Sequence, residues 1–225
     1  MGGGVTQEAF VEHHYPTVMG SVAGRLLLSH KVLCQMEEQP QHEENWLRLD
    51  GVALQVRKVC ELFLLGSTLA HLQEGSELNP RKWHPKDAFA ELHKFNPNPL
   101  PLPLQPDIRV LADGTKQFIP ASKPMPINIL SAIYGQCGDI LHVPTASKVL
   151  EEKVTPFDWN KYRGWVDGFS QLLASHVLLL PDIQRVLICT WSGQAGNDPS
   201  ISLAEGSGEA ILHDGALPDF SLLVV

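Results

Sequence analysis

The run RVLICTWSGQAGNDPSISLAEG, residues 185–206, decides the fold class because it breaks with the helical pattern that precedes it. Short apolar, β-rich segments alternate here with Gly, Asn, Asp and Pro, which is the pattern of strands joined by tight turns. Two further segments of this kind follow it, EAILHD (209–214) and FSLLVV (220–225). We therefore expect residues 182–225 to form a small antiparallel sheet of about three or four strands.

Upstream of this run, apolar residues recur at helical spacing. The spacing predicts helices near 7–15 and 18–36, with Pro16 as an interruption, near 46–72, 85–94, 126–142 and 146–153, and from Asp158 to Leu180. The helix near 46–72 has the broadest apolar face and is expected to be central. The fold class we expect is mainly α, or α+β. A helical bundle over residues 1–181 carries the C-terminal sheet (182–225), and the two form one compact unit.

Residues 96–119 interrupt the helices. The segment NPNPLPLPLQP (96–106) carries prolines that forbid a helix, so it must be extended or polyproline II. Its alternating Leu100, Leu102 and Leu104 predict a strap that lies across the helical core; a proline-rich ligand for a partner domain is the alternative. After it, Asp113-Gly114 supplies the turn of a small hairpin near 108–119.

Composition restricts the classes of partner. The chain has 225 residues with 25 acidic and 17 basic side chains, a net charge of −8. Nucleic-acid binding relies on Lys and Arg against phosphate, so it is expected only through a local basic patch, at Arg57-Lys58 or Arg81-Lys82. No segment reaches the roughly 18–20 uninterrupted apolar residues of a membrane helix, so no membrane partner is expected.

The four cysteines, Cys34, Cys60, Cys137 and Cys189, are far apart, and all but Cys137 lie in apolar segments. This is typical of reduced, buried thiols and indicates a cytoplasmic protein. No CxxC pair or close Cys/His spacing is present, so we expect no metal site. The sequence also lacks a Walker loop and a G-x-S-x-G motif, and we expect no cofactor.

The helix expected at 126–142 carries two glycines, and each costs about 0.5–1 kcal/mol in a helix relative to alanine. On this helix Ser131, Gly135, Gly138 and His142 fall at i, i+4, i+7 and i+11, which is one stripe. Small residues allow another helix to approach closely, and we expect the central helix to do so. The stripe then places His142 at the rim of the contact.

A candidate catalytic site follows from this arrangement. Arg57 and Glu61 interrupt an otherwise apolar part of the central helix, and charges in a core-facing region need partners. We expect them to meet His142, which is the candidate acid or base, with Asp139 to orient its ring and Tyr134 beside it. The alternative is structural: His142 stabilises the helix C-terminus, and Arg57–Glu61 is an ordinary i, i+4 ion pair.

Two segments, ELHKFNPNPLPLPL (91–104) and IYGQCGDILH (133–142), resemble the N-P…P and Y-x-x-C-G-x-x-L-H elements of an uncharacterised bacterial protein family with a helix like LQVRKVCEL (54–62). That family brings no activity with it. More distantly, the chain is similar to HEPN-type helical bundles, many of which are ribonucleases of toxin and antiviral systems. Their hallmark is an Arg followed four to six residues later by a His, and Arg25 and His30 have this spacing.

Two functions from different classes remain open. The first is a helical protein-interaction module, in a bacterial defence or toxin–antitoxin setting, that binds a protein partner or a second copy of itself as a homodimer. The apolar C-terminal run FSLLVV (220–225) supports it, because an apolar strand must be buried in a sheet or an interface. The alternative, implied by the HEPN resemblance, is a metal-independent ribonuclease that uses His142 or the Arg25/His30 pair.

Overall fold

The computed structural model describes residues 7–71, 85–95, 100–110, 112, 116–121, 125–142, 158–180, 185–194 and 199–205. These residues form five helices and five strands. The helices are α1 (Gln7–Glu38), α2 (Asn45–His71), α3 (Pro85–Phe95), α4 (Ile127–Leu141) and α5 (Trp159–Ala174). The strands are β1 (Leu102–Val110), β2 (Lys116–Pro120), β3 (Ser175–Leu180), β4 (Arg185–Thr190) and β5 (Ser200–Glu205). The expected fold class, mainly α with a small antiparallel sheet, is confirmed.

The two longest helices, α1 and α2, are joined by a short turn and pack along each other. The Asn45 side chain at the start of α2 donates a 2.7 Å hydrogen bond to the carbonyl oxygen of Gln39, which fixes this turn. α2 also contacts α3, α4 and α5, so it is the central helix, as expected. The expected interruption at Pro16 is wrong, because Pro16 lies inside a continuous α1.

All five strands belong to one antiparallel sheet, in the order β2-β1-β3-β4-β5. The expected helix from Asp158 to Leu180 is therefore wrong over its last turns, because Ser175–Leu180 is strand β3. The residues of β3 pair along the whole strand with β4. A continuous apolar run suits a buried strand as well as a buried helix, and pairing with β4 and β1 decides in favour of the strand.

The proline-rich segment is packed as expected, with Leu100, Leu102 and Leu104 buried, but it forms strand β1 and not a separate strap. A proline has no N–H to donate to a neighbouring strand. β1 tolerates its prolines because it pairs in pieces: residues 102–103 pair with β3, while Leu104 and residues 108–110 pair with β2. The register shifts between Leu104 and Ile108, around Pro106. The pairing of β1 with β2 confirms the hairpin expected near 108–119.

The sheet turns one face to the helices. Leu178 of β3 and Leu187 and Cys189 of β4 belong to the main hydrophobic core, together with residues of α1, α2, α4 and α5. The side chains that alternate with them point to the opposite face, where Val177 packs with Leu102 and Leu104 in a second, smaller apolar cluster. The core is therefore shared by the helices and the sheet.

A buried polar pair joins the first helix to the sheet. The Nδ1 of His176 lies 2.9 Å from the carbonyl oxygen of Leu172, which can only accept, so Nδ1 carries the proton. The Nε2 then accepts a 2.9 Å hydrogen bond from the hydroxyl of Tyr15. Burial lowers the pKa of His176 to about 4, although the hydrogen bond to Leu172 acts against this. The imidazole is therefore neutral at pH 7.

The expected boundary between residues 181 and 182 falls between β3 and β4, which are paired with each other. Sheet and helical bundle are thus joined across that boundary by the pairing of β3 with β4 and by the shared core. The expected helix near 146–153 and the expected strands at 209–214 and 220–225 lie outside the described residues.

Candidate functional site

The contact between α2 and α4 brings together three of the five candidate catalytic residues, Arg57, Glu61 and Tyr134. On α2, Arg57 and Glu61 are four residues apart, and on α4 Tyr134 and Gly138 have the same spacing. Residues at i and i+4 lie on one face of a helix, so each helix presents two of these residues to the other. The close approach predicted from the glycine stripe is present at Gly138.

Arg57 is the centre of this contact. Its Nη2 donates a 2.7 Å hydrogen bond to the hydroxyl of Tyr134, and its Cζ lies 4.2 Å from the centroid of the Tyr134 ring. A Cβ on residue 138 would lie 2.6 Å from Nη1 of Arg57, so any side chain here would displace the guanidinium from its present position. At Gly135 nothing lies within 4 Å of such a Cβ. One glycine of the stripe makes the contact, and the other faces open space.

Glu61 holds the two cations of α2. Its Oε1 lies 3.8 Å from Nε of Arg57, and its Oε2 lies 2.7 Å from Nζ of Lys58. The side chain of Lys58 is 45% exposed, whereas those of Arg57 and Glu61 are 24% and 19% exposed. The basic patch considered at Arg57-Lys58 is therefore partly neutralised by a carboxylate. The other patch, Arg81-Lys82, lies outside the described residues.

Beneath the ion pair lie buried thiols and a buried phenol. Burial raises the pKa of Cys137 to about 12, although the charge of Arg57 acts in the opposite direction. Burial raises the pKa of Cys60 as well, with smaller contributions from Cys137 and Glu61. The hydroxyl of Tyr162 is buried and has no hydrogen-bond partner among the described residues; burial raises its pKa above the ordinary value. These groups stay protonated and serve as core.

His142 and Asp139 lie at the end of α4 and are both exposed. His142 is the C-cap of the helix, and its backbone N–H donates a 3.1 Å hydrogen bond to the carbonyl oxygen of Gly138. Its side chain makes no hydrogen bond or ion pair with Arg57, Lys58 or Glu61, all of which are described residues. The chemical role of His142 and Asp139 stays a prediction.

The alternative pair, Arg25 and His30, does not converge. Nη1 of Arg25 donates a 2.6 Å hydrogen bond to Oε1 of Gln55 on α2. His30 is exposed, and its Nδ1 lies 3.6 Å from Sγ of Cys34. Five positions along a helix rotate two side chains by about 140°, so the two groups face different surroundings. The ribonuclease alternative stays a prediction, and this geometry does not favour it.

A second polar cluster was missed by sequence reasoning. Nη1 and Nη2 of Arg163 on α5 each lie 3.8 Å from Sγ of Cys34, and Nη2 lies 2.6 Å from Oε1 of Glu37. With His30, these residues form the Cys34 cluster: His30, Cys34, Glu37 and Arg163. Cys34 and Arg163 are 129 positions apart, so no spacing in the sequence could have linked them.

Within the described part of the chain, no group of three or more His, Cys, Asp or Glu side chains is placed to hold a metal ion. None of the described helices is both long and apolar enough to span a membrane. The chain matches no protein-family model, no curated protein and no solved structure.

Proposed function

We propose that this protein is a helical interaction module that binds a second copy of itself through the outer side of the α1–α2 hairpin. The observation that carries the proposal is a group of large apolar side chains left exposed there. Leu54 is 42%, Leu28 49%, Leu47 52% and Trp46 61% exposed. We refer to these four residues as the hairpin face.

The positions of the three leucines of the hairpin face on α1 and α2 relate them to one another. Leu47 and Leu54 are seven positions apart, so they lie on one side of α2, with the open Gly51 between them. The hydrogen bond from Arg25 to Gln55 sets the two helices side by side at this level. Leu28 follows Arg25 by three positions and Leu54 precedes Gln55, so both leucines flank that bridge.

A second copy is a suitable occupant because a two-fold axis places the same apolar face on both sides of an interface. Single exposed apolar residues are common on protein surfaces, but a group rimmed by polar residues marks an interaction site. Two charged residues of opposite sign, Arg48 and Asp50, follow Leu47 within three positions on α2, and both are partly exposed. These charges allow polar contacts around an apolar centre.

The test is the mass of the protein in solution, measured by light scattering and sedimentation over a range of concentrations. We expect a concentration-dependent dimer for the wild type and a monomer for the double variant Leu47→Glu/Leu54→Glu. Gln171→Glu adds one charge at an exposed position of α5 and is the matched control, which should dimerise like the wild type. Circular dichroism shows whether each variant keeps its fold.

A wild type that stays monomeric at the highest concentration, with a hairpin face that tolerates both glutamates, contradicts self-association. A dimer that is unchanged by the double variant places the interface elsewhere and contradicts the assignment of the hairpin face.

A further inference from the structure

The Cys34 cluster differs from the environments of the other three cysteines. Cys60, Cys137 and Cys189 are fully buried, and burial raises the pKa of each thiol, for Cys137 and Cys189 to about 12. Cys34 was expected to be buried because it lies in the apolar segment HKVLCQM, but it is only half-buried and lies near the exposed end of α1. Small molecules in solution can therefore reach Cys34 and not the other three sulfur atoms.

Two groups that favour the thiolate lie at the sulfur, one as a proton acceptor and the other through its positive charge. Nδ1 of His30 is 3.6 Å from Sγ, so it can accept the thiol proton in the tautomer that carries its own proton on Nε2. The exposed ring can pass that proton to water. The guanidinium of Arg163 presents two N–H groups at 3.8 Å, where its charge stabilises a thiolate. A nucleophile next to a base is the arrangement of activated thiols.

Glu37 controls how strongly the charge of Arg163 acts on the sulfur of Cys34. Its carboxylate lies 2.6 Å from Nη2 of Arg163 and is 56% exposed. Burial on its own would lower the pKa of Arg163, but the hydrogen bonds to Cys34 and Glu37 outweigh it, so this pKa is raised. Glu37 thus holds the guanidinium beside the sulfur and also offsets part of its positive charge.

We propose that Cys34 is a reactive thiol that exchanges with small-molecule disulfides and so carries a reversible mixed disulfide. His30 takes the thiol proton, and the thiolate attacks one sulfur of the disulfide. A new S–S bond forms to Cys34, and the S–S bond of the disulfide breaks. The leaving thiolate keeps the bonding electron pair, and the proton on His30 passes to water. Cys34 is oxidised, the departing half is reduced, and the small disulfide is the oxidant.

The test uses the full chain and an aromatic disulfide, 5,5′-dithiobis(2-nitrobenzoate), whose released thiolate is coloured. We expect one thiol to react fast under native conditions, and peptide mass spectrometry to locate it at Cys34. The other three should react only after denaturation. Cys34→Ser should remove the fast phase. With glutathione disulfide, the wild type should gain the mass of one glutathionyl group, and dithiothreitol should remove it.

Charge variants distinguish an activated thiol from one that is merely accessible. Arg163→Met should slow the fast phase roughly fivefold to tenfold, since it removes a cation about 4 Å from the sulfur. Glu37→Gln should speed it roughly twofold or more, because it removes the offsetting charge. Lys161→Met is the matched control: it removes the same charge from the same helix, at a residue that lies over Trp165. This control should leave the rate unchanged.

If Arg163→Met exposes all four thiols, the variant is unfolded, and Arg163→Lys and Glu37→Gln then decide. The proposal is overturned if native Cys34 reacts no faster than it does in the urea-unfolded chain. It is also overturned if the folded charge variants all react at the wild-type rate.

Discussion

His176 is the residue on which acidity should act most strongly. Its ring is fully buried and neutral, and both nitrogens are used, one by Leu172 and one by Tyr15. A second proton on Nε2 would reverse the direction of the hydrogen bond with Tyr15 and place a charge in the core. Sequence reasoning assigned His176 to a helix and gave it no role, because its partner Tyr15 is 161 positions away.

The first prediction concerns stability against pH. In the unfolded chain His176 binds a proton below pH 6.5, whereas in the fold its pKa is about 4. Between these values the unfolded state binds more protons, so the contribution of His176 is complete above pH 6.5 and is lost as pH falls toward 4. The loss amounts to about 3 kcal/mol in the free energy of unfolding. Urea titrations across this pH range measure it.

The variant His176→Gln should flatten the fall in stability between pH 6.5 and 4. His93→Gln, at an exposed position of α3, is the control and should keep the wild-type profile. Equal slopes in His176→Gln and the wild type would show that other groups cause the fall.

The second prediction compares the two glycines of α4. Alanine in place of glycine inside a helix stabilises by about 0.5–1 kcal/mol, and Gly135→Ala should gain this in full because its surroundings are open. Gly138→Ala should gain little or nothing, since its methyl group displaces the guanidinium of Arg57 from Tyr134 at a cost of about 1 kcal/mol. Urea denaturation of both variants gives the two values.

Repeating both alanine substitutions in an Arg57→Met background separates the contact from helix propensity. There Gly138→Ala should stabilise as much as Gly135→Ala does. A gain at Gly138 in the wild-type background equal to that at Gly135 would mean that the guanidinium moves without cost.

At the scale of the elements, the start of α5 follows directly from the sequence. The side chain of Asp158 accepts a 3.1 Å hydrogen bond from the backbone N–H of Lys161, so it caps the helix.

The third prediction is that Asp158→Ala lowers the free energy of unfolding by about 1 kcal/mol, whereas Asp158→Asn keeps most of the cap. Asp167→Ala, at an exposed position inside α5, should change it by less. Thermal and urea denaturation of the three variants compare these costs, and equal losses at positions 158 and 167 would argue against the cap.

The elements also show where sequence reasoning stops. Helix spacing predicted the bounds of α2, α3 and α4 to within one residue, because each of these helices carries its own apolar face. Strand β3 was mistaken for helix because Val177 and Leu178 are apolar on both faces of the sheet, which hides the period of two. Part of the candidate site was predicted, because Arg57 and Tyr134 are in contact. The contact between Cys34 and Arg163 was not, because it joins residues 129 positions apart and no local pattern in the sequence links them.

At the scale of the whole molecule, helices and sheet share one core. Phe63 of α2 stacks on Phe169 of α5 with ring centroids 5.6 Å apart, and Leu187 of β4 is buried in the same cluster. The expected boundary near residue 181 therefore does not separate two cores.

The fourth prediction is a single cooperative unfolding transition. Calorimetric and van't Hoff enthalpies should agree, and far-UV circular dichroism and tryptophan fluorescence should give the same midpoint. Two resolved transitions, with sheet signal lost before helix signal, would indicate that the sheet unfolds independently. Measurements well below the concentration range of any dimer keep association out of the comparison.

The hydrogen bond between Tyr15 and His176 spans 161 positions, so it also bears on the timing of folding. Closing so long a loop costs entropy that local contacts in the α1–α2 hairpin do not have to overcome. The contact should therefore form after the transition state of folding and slow the unfolding of the native state. Tyr15→Phe should leave the refolding rate nearly unchanged and speed unfolding, whereas Val52→Ala inside the hairpin should slow refolding. Stopped-flow kinetics measure both rates, and slower refolding in Tyr15→Phe would mean that α1 and β3 meet early. The lifetime of the native state, more than the speed at which it is reached, then depends on this one pair.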